Sequence, residues 1–155
     1  MENVLAQLLL EEKELQFSKF DEDDAWQLGC ILVKRAIANQ LPITIDITRG
    51  DHQIFHASRP GTSTDNDEWI KRKVRLVYRF GHSSYYIGQL LKSNGKRLEE
   101  AYLIPENEYA PHGGCFPIFI KEVGMVGTVT ISGLTQEEDH RLVTTALREF
   151  LHSAA

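Results

Sequence analysis

A chain of 155 residues, 42% of them hydrophobic and 25% charged, suits one soluble domain with a full-size core. The formal net charge of -5 argues against nucleic acid or an anionic membrane surface as the main partner. No apolar run is long enough to span a bilayer as a helix, and the opening residues lack a basic leader region, so a cytoplasmic protein is expected.

Leu5, Leu8 and Leu9 fall on one side of a short helix expected over Val4–Glu12. Leu15 to Phe20 alternates apolar and polar residues, as a half-buried strand does. Asp21 reads as a helix N-cap, with Glu22, Asp23 and Asp24 at the positive end of the dipole. The helix it opens has apolar residues nearly all round, from Trp26 to Ile37, and is expected to be well buried before it stops near Asn39. Cys30 in this run and Cys115 further on read as small core hydrophobes rather than a disulfide.

Ile43, Ile45 and Ile47 alternate with Thr44, Asp46 and Thr48 in the cleanest strand pattern of the chain. Gly50-Asp51 is a two-residue hairpin turn, and residues 53–57 return as its partner strand. Asp65 with Glu68 offers a helix cap, followed by a stripe of Trp69, Ile70, Val74, Val77 and Phe80. Gly81 to Ser84 breaks that helix, and Ser83 or Ser84 caps another that ends at Asn94-Gly95. A short helix around residues 98–102 precedes a loop with two prolines.

Strands are expected over Cys115–Ile120 and Met125–Ser132, joined by a tight turn. Thr135 to Glu138 is a capping box, and Leu142, Val143, Ala146, Leu147, Phe150 and Leu151 continue at helical spacing. Two hairpins with helices between and after them imply an α/β (α+β) domain with a five-stranded antiparallel sheet flanked by helices.

The segments Gly113-Gly114-Cys115-Phe116-Pro117, Gly127 to Gly133 and Glu137-Glu138-Asp139 resemble the GlcG/HbpS-like, or haem-degrading-domain, superfamily. Trp69 to Lys73, Tyr109 to Gly114 and Ser132 to His140 resemble an uncharacterised branch of it. The resemblance spans nearly the whole chain. It implies a profilin-like fold, a tendency to form homo-oligomers, and haem, another tetrapyrrole or a small anion as ligand.

His112-Gly113-Gly114 is the first candidate ligand site, because paired glycines admit close backbone approach and an imidazole can ligate iron or carry a proton. Arg49, Lys73 and Arg72 are the second, as cations that could receive a carboxylate or haem propionate. Lys71, Arg75 and Arg79 recur every four residues and read as a solvated helix face. His140 is expected to support a helix start or an interface, and Tyr85, Tyr86 and Tyr102 to supply interface anchors. His52 and His56 stand four apart on one strand, a spacing a metal pair could use. His82 and His152 read as surface residues. No sequence signature of an enzyme is present.

Overall fold

In the computed structural model, residues 2–153 are described. The elements in chain order are α1 (Glu2–Glu14), β1 (Gln16–Phe17), α2 (Glu22–Ala38), β2 (Thr44–Arg49), β3 (His52–Ser58), α3 (Thr64–Phe80), α4 (Ser84–Ser93), α5 (Leu98–Tyr102), β4 (Cys115–Ile120), β5 (Gly124–Ser132) and α6 (Gln136–Ser153). The five strands form one sheet in the order β1-β4-β5-β2-β3. Among the described residues no helix is long and apolar enough to cross a membrane.

The expected antiparallel sheet needs one correction. β1 runs parallel to β4, with Gln16 opposite Phe119, so the sheet is antiparallel everywhere except this edge. β1 is also only two residues long. Beyond its end, the exposed Lys19 ammonium meets Asp24 at 2.9 Å and Asp21 at 3.3 Å at the start of α2. Asp21 itself receives the Asp24 amide at 2.9 Å and closes a capping box.

The Gly50-Asp51 turn joins β2 to β3 as expected, with Arg49 paired to His52. The cap of α3 lies earlier than Asp65. Ser63 accepts from the Asp65 amide at 3.3 Å while its own N–H donates to Asn66 Oδ1 at 3.0 Å, and this reciprocal pair outcompetes the later one.

The two faces of the sheet differ in chemistry. Ile45, Ile47, Phe116, Ile118, Val129 and Ile131 point to one side and pack with α2 and α6 around Leu28, Leu32, Val143 and Leu147. The alternate positions Thr44, Asp46, Thr128, Thr130 and Ser132 are buried polar residues on the face that α3 covers. Leu76, Ile87, Leu91, Leu98 and Ile104 build a second apolar cluster among α3, α4 and α5. The expectation that α2 is buried all round is corrected: Trp26 is 64% exposed and Ile37 54%. Trp26 instead meets Phe55 of edge strand β3 edge-on, with ring centroids 5.7 Å apart.

Candidate functional site

A cleft of about 400 Å³ opens where the first half of α3, the 111–114 loop and the β5–α6 junction meet. Trp69, Lys73, His112, Gly113, Gln136 and Asp139 are among its walls. Side-chain hydrogen bonds hold the three segments together. Asn66, oriented by its role in the α3 cap, donates to Ser132 Oγ at 3.3 Å. The Gly113 amide donates to Gln136 Oε1 at 3.2 Å.

Lys73 lies at the floor and is 3% exposed. Its ammonium donates to the Ile131 carbonyl at 3.0 Å and to Asp139 Oδ2 at 3.3 Å. The other carboxylate oxygen of Asp139 accepts the Leu134 amide at 3.0 Å. Burial lowers the Lys73 pKa against the pull of Asp139, and burial raises the Asp139 pKa against the pull of Lys73. Both effects favour the neutral forms. An ammonium has three N–H groups, and only these two acceptors meet it among the described residues.

Gly114 makes room for this arrangement. Its φ is +134°, and a Cβ there would strike the Ile131 carbonyl oxygen and sit 2.7 Å from Lys73 Nζ. Gly113 is equally constrained, since a Cβ would collide with the Gln136 carbonyl. The paired glycines are therefore a packing requirement of the cleft wall as well as a loop feature.

His112 stands at the rim, with an exposed ring set edge-on to Trp69 at 5.6 Å between centroids. Arg72 covers the Trp69 ring at 4.5 Å. Partial burial, then the Lys73 and Arg72 cations, lower the His112 pKa. His112 also borders a second cleft of about 320 Å³, where Arg72, Lys92, Lys96 and Arg97 outnumber Glu106 and Glu137.

The structure thus brings His112, Gly113, Gly114, Lys73 and Arg72 together. Arg49 stands apart, outside the cleft, in a bidentate pair with Glu22 at 2.7 and 2.9 Å. It lies at the opposite end of β2 from the Thr44–Ser132 pairing, so the β2 register carries it away from the site. Asp139, Gln136, Lys92 and Lys96 were not singled out as site residues from sequence. Asp139 had the one available signal, a carboxylate in the first turn of a capped helix.

The other candidates take structural positions. Lys71 pairs with Glu68 at 2.9 Å, and Arg75 donates to the Glu108 carbonyl at 2.7 Å. His56 lies between Asp46 at 3.0 Å and Asp67 at 3.2 Å, and His52 is exposed on the same strand. No group of three metal-ligating side chains converges among the described residues. His140 is buried, stacks on Tyr85 at 4.9 Å and bonds Glu11 of α1 at 2.9 Å. His82, expected at the surface, bonds the buried Glu12 of α1 at 2.7 Å. Both cysteines are free, and burial pushes the Cys115 thiol up to about 12.

Comparison with known proteins accords with this picture. The model of the family described as haem degrading protein HbpS-like matches residues 20–148. A UPF0303 protein of Streptomyces coelicolor is 47% identical over 147 residues, covering 95% of this chain and 93% of its own. A UPF0303 protein of Psychromonas ingrahamii is 46% identical over 149 residues, covering 96% and 94%. Among solved structures, the Ybr137w protein superposes with a TM-score of 0.90 at 36% identity, covering 97% of this chain and 88% of that one. A PduOC:haem complex has a TM-score of 0.69 at 20% identity, covering 83% and 93%, and there the likeness is one of fold.

Proposed function

The chain belongs to the HbpS-like family, together with the UPF0303 proteins, and from that premise we propose that it is a small-ligand-binding module with haem as its ligand. The observation that carries this reading is His112: an exposed imidazole, biased toward its neutral form, on the ridge between an aromatic-walled cleft and a cationic one. Neutral imidazole is the form that ligates iron.

The residues fit the parts of the group. His112 would supply a nitrogen ligand to the iron. Trp69 would offer an apolar wall to the ring edge. Lys92 and Lys96, which form no ion pair among the described residues, would receive the propionates in place of Arg49. Bound haem would supply the iron chemistry, while the chain orients it and limits access of water. Two free thiols suit a reducing compartment, so this reading places the protein in the cytoplasm.

The test is a haem titration followed by absorption. Wild-type protein is expected to give a saturable Soret band. His112→Ala should shift the band and weaken binding, and Lys92→Glu with Lys96→Glu should weaken binding without shifting it. A titration indistinguishable from haem in buffer overturns the reading.

A second reading is favoured by a separate observation. Trp26 and Ile37 are exposed on α2, beside the unpaired edge of β3. Burying them between copies would make the protein a homo-oligomeric assembly module. Light scattering on the purified protein is expected to give a mass above one chain, lowered by Trp26→Glu. A strict monomer sinks it.

A further inference from the structure

We infer that Lys73 is a reactive amine that captures small neutral carbonyl compounds, aldehydes above all, as an imine at the floor of the cleft. The inference rests on reading that cleft as the ligand site, and it assigns the inner part of it, below the His112 rim.

Four observations support it. The Lys73 amine borders a cleft with room for a small molecule although the residue is 3% exposed. A lysine whose only role is solubility keeps its head in water. One of its three N–H directions has no protein acceptor among the described residues. Asp139, at 3.3 Å, is placed to accept and return a proton, and burial favours its protonated form. Burial likewise favours the free amine, the nucleophilic form of lysine.

The chemistry balances without an outside oxidant or reductant. The Lys73 ammonium passes a proton to the Asp139 carboxylate. The free amine attacks the carbonyl carbon, a C–N bond forms, and a proton moves from nitrogen to the former carbonyl oxygen. Asp139 returns its proton to that hydroxyl, which leaves as water while the nitrogen lone pair closes the C=N bond. The products are a protonated imine, water and the original carboxylate. The Asp65 carboxylate lines the cleft and no charge on Lys73 or Asp139 remains once the proton has passed between them, so neutral carbonyl compounds are preferred over keto acids.

The experiment treats the full-length, haem-free protein with glycolaldehyde and sodium cyanoborohydride at about pH 7, where an ordinary lysine is almost wholly protonated. Peptide mass mapping then reads each lysine. Lys73 is expected to gain the reduced adduct several-fold faster than the exposed Lys34 and Lys121, because it borders the cleft and burial favours its free amine. Asp139→Asn, which keeps the volume of the side chain, should slow that step. Glyoxylate, an aldehyde that carries a carboxylate, should label Lys73 more slowly relative to Lys34 and Lys121 than glycolaldehyde does.

Labelling of Lys73 no faster than of Lys34 and Lys121 overturns the inference. An Asp139→Asn rate equal to wild type removes the role given to Asp139. Labelling at Lys73 without haem binding leaves this inference standing and sinks the haem reading; haem binding without labelling does the reverse.

Discussion

Lys73 of α3 and Asp139 of α6 are 66 positions apart in the chain and meet at 3.3 Å, each almost fully buried. They bind the helix that covers the polar sheet face to the helix that covers the apolar one. A buried pair of this kind costs desolvation on both sides, and breaking it leaves one charge without its partner.

Lys73→Met should therefore destabilise the protein by about 3–5 kcal/mol in urea unfolding at neutral pH. Lys73→Met combined with Asp139→Leu should recover much of that loss. It should not recover all of it, because Asp139 also accepts the Leu134 amide, a cap-type bond worth roughly 0.5–2 kcal/mol. A double variant as unstable as the single one would mean that the pair is not what holds the helices.

Gly114→Ala and Gly50→Ala should part company, although both positions have positive φ. At Gly50 a Cβ meets nothing within 4 Å, so the cost is about 1 kcal/mol of backbone preference. At Gly114 it strikes the Ile131 carbonyl and crowds Lys73, adding to roughly 1–3 kcal/mol of strain. Thermal unfolding of the two variants checks the order, and equal costs would contradict the close packing of the cleft wall.

His112 should titrate below the ordinary histidine range in proton NMR, because burial and the Lys73 and Arg72 cations oppose its protonation. Removing the Lys73 charge by Lys73→Met should raise the His112 pKa. A His112 pKa that ignores this substitution would separate the two residues electrostatically.

Glu11 and Glu12 are neighbours in α1 with opposite expectations. Burial raises the Glu12 pKa despite the Ser83 amide and His82, so its favourable contribution is present at low pH and lost as pH rises through the folded value. Burial acts in the same sense on Glu11, but His140 and Arg148 outweigh it and the pKa is lowered. Its contribution is present above the ordinary glutamate range and lost as pH falls through the folded value. Against wild type, Glu12→Gln should gain stability as pH rises above the ordinary glutamate range, while Glu11→Gln should lose stability there and converge on wild type as pH falls through the folded Glu11 value. Each tenfold difference in proton affinity between folded and unfolded chain is worth about 1.4 kcal/mol. Urea midpoints across this pH range read both differences, and parallel curves for the two variants would refute the contrast.

Arg49→Ala should leave haem binding unchanged and alter stability little, since the Arg49–Glu22 pair faces solvent outside the cleft. A loss of binding comparable to that of His112→Ala would return Arg49 to the site.

Much of the fold was legible because local signals agreed with the tertiary result. The Ile43–Thr48 alternation, the Gly50-Asp51 turn, the Asp21 cap and the Ser83 cap each appear where short-range chemistry puts them. The errors came where a distant group decided the outcome. Trp26 of α2 reads as core, yet it lies at the surface against Phe55 of edge strand β3. β1 reads as a longer strand, yet it spans only Gln16–Phe17, and its parallel pairing depends on β4, about a hundred residues away.

The site divides along the same line. By itself the sequence determined the Gly113-Gly114 loop, the His112 beside it and the basic helix that carries Lys73, because residue type and spacing suffice to place them on a loop and on a helix. Only the tertiary structure decided that Lys73 faces Asp139, that His112 borders both a Trp69-walled cleft and a cationic one, and that Arg49 belongs to neither. Helical and strand periodicity sets which way a side chain points from its own element. What it meets there depends on sheet order and register, and those are properties of the whole chain.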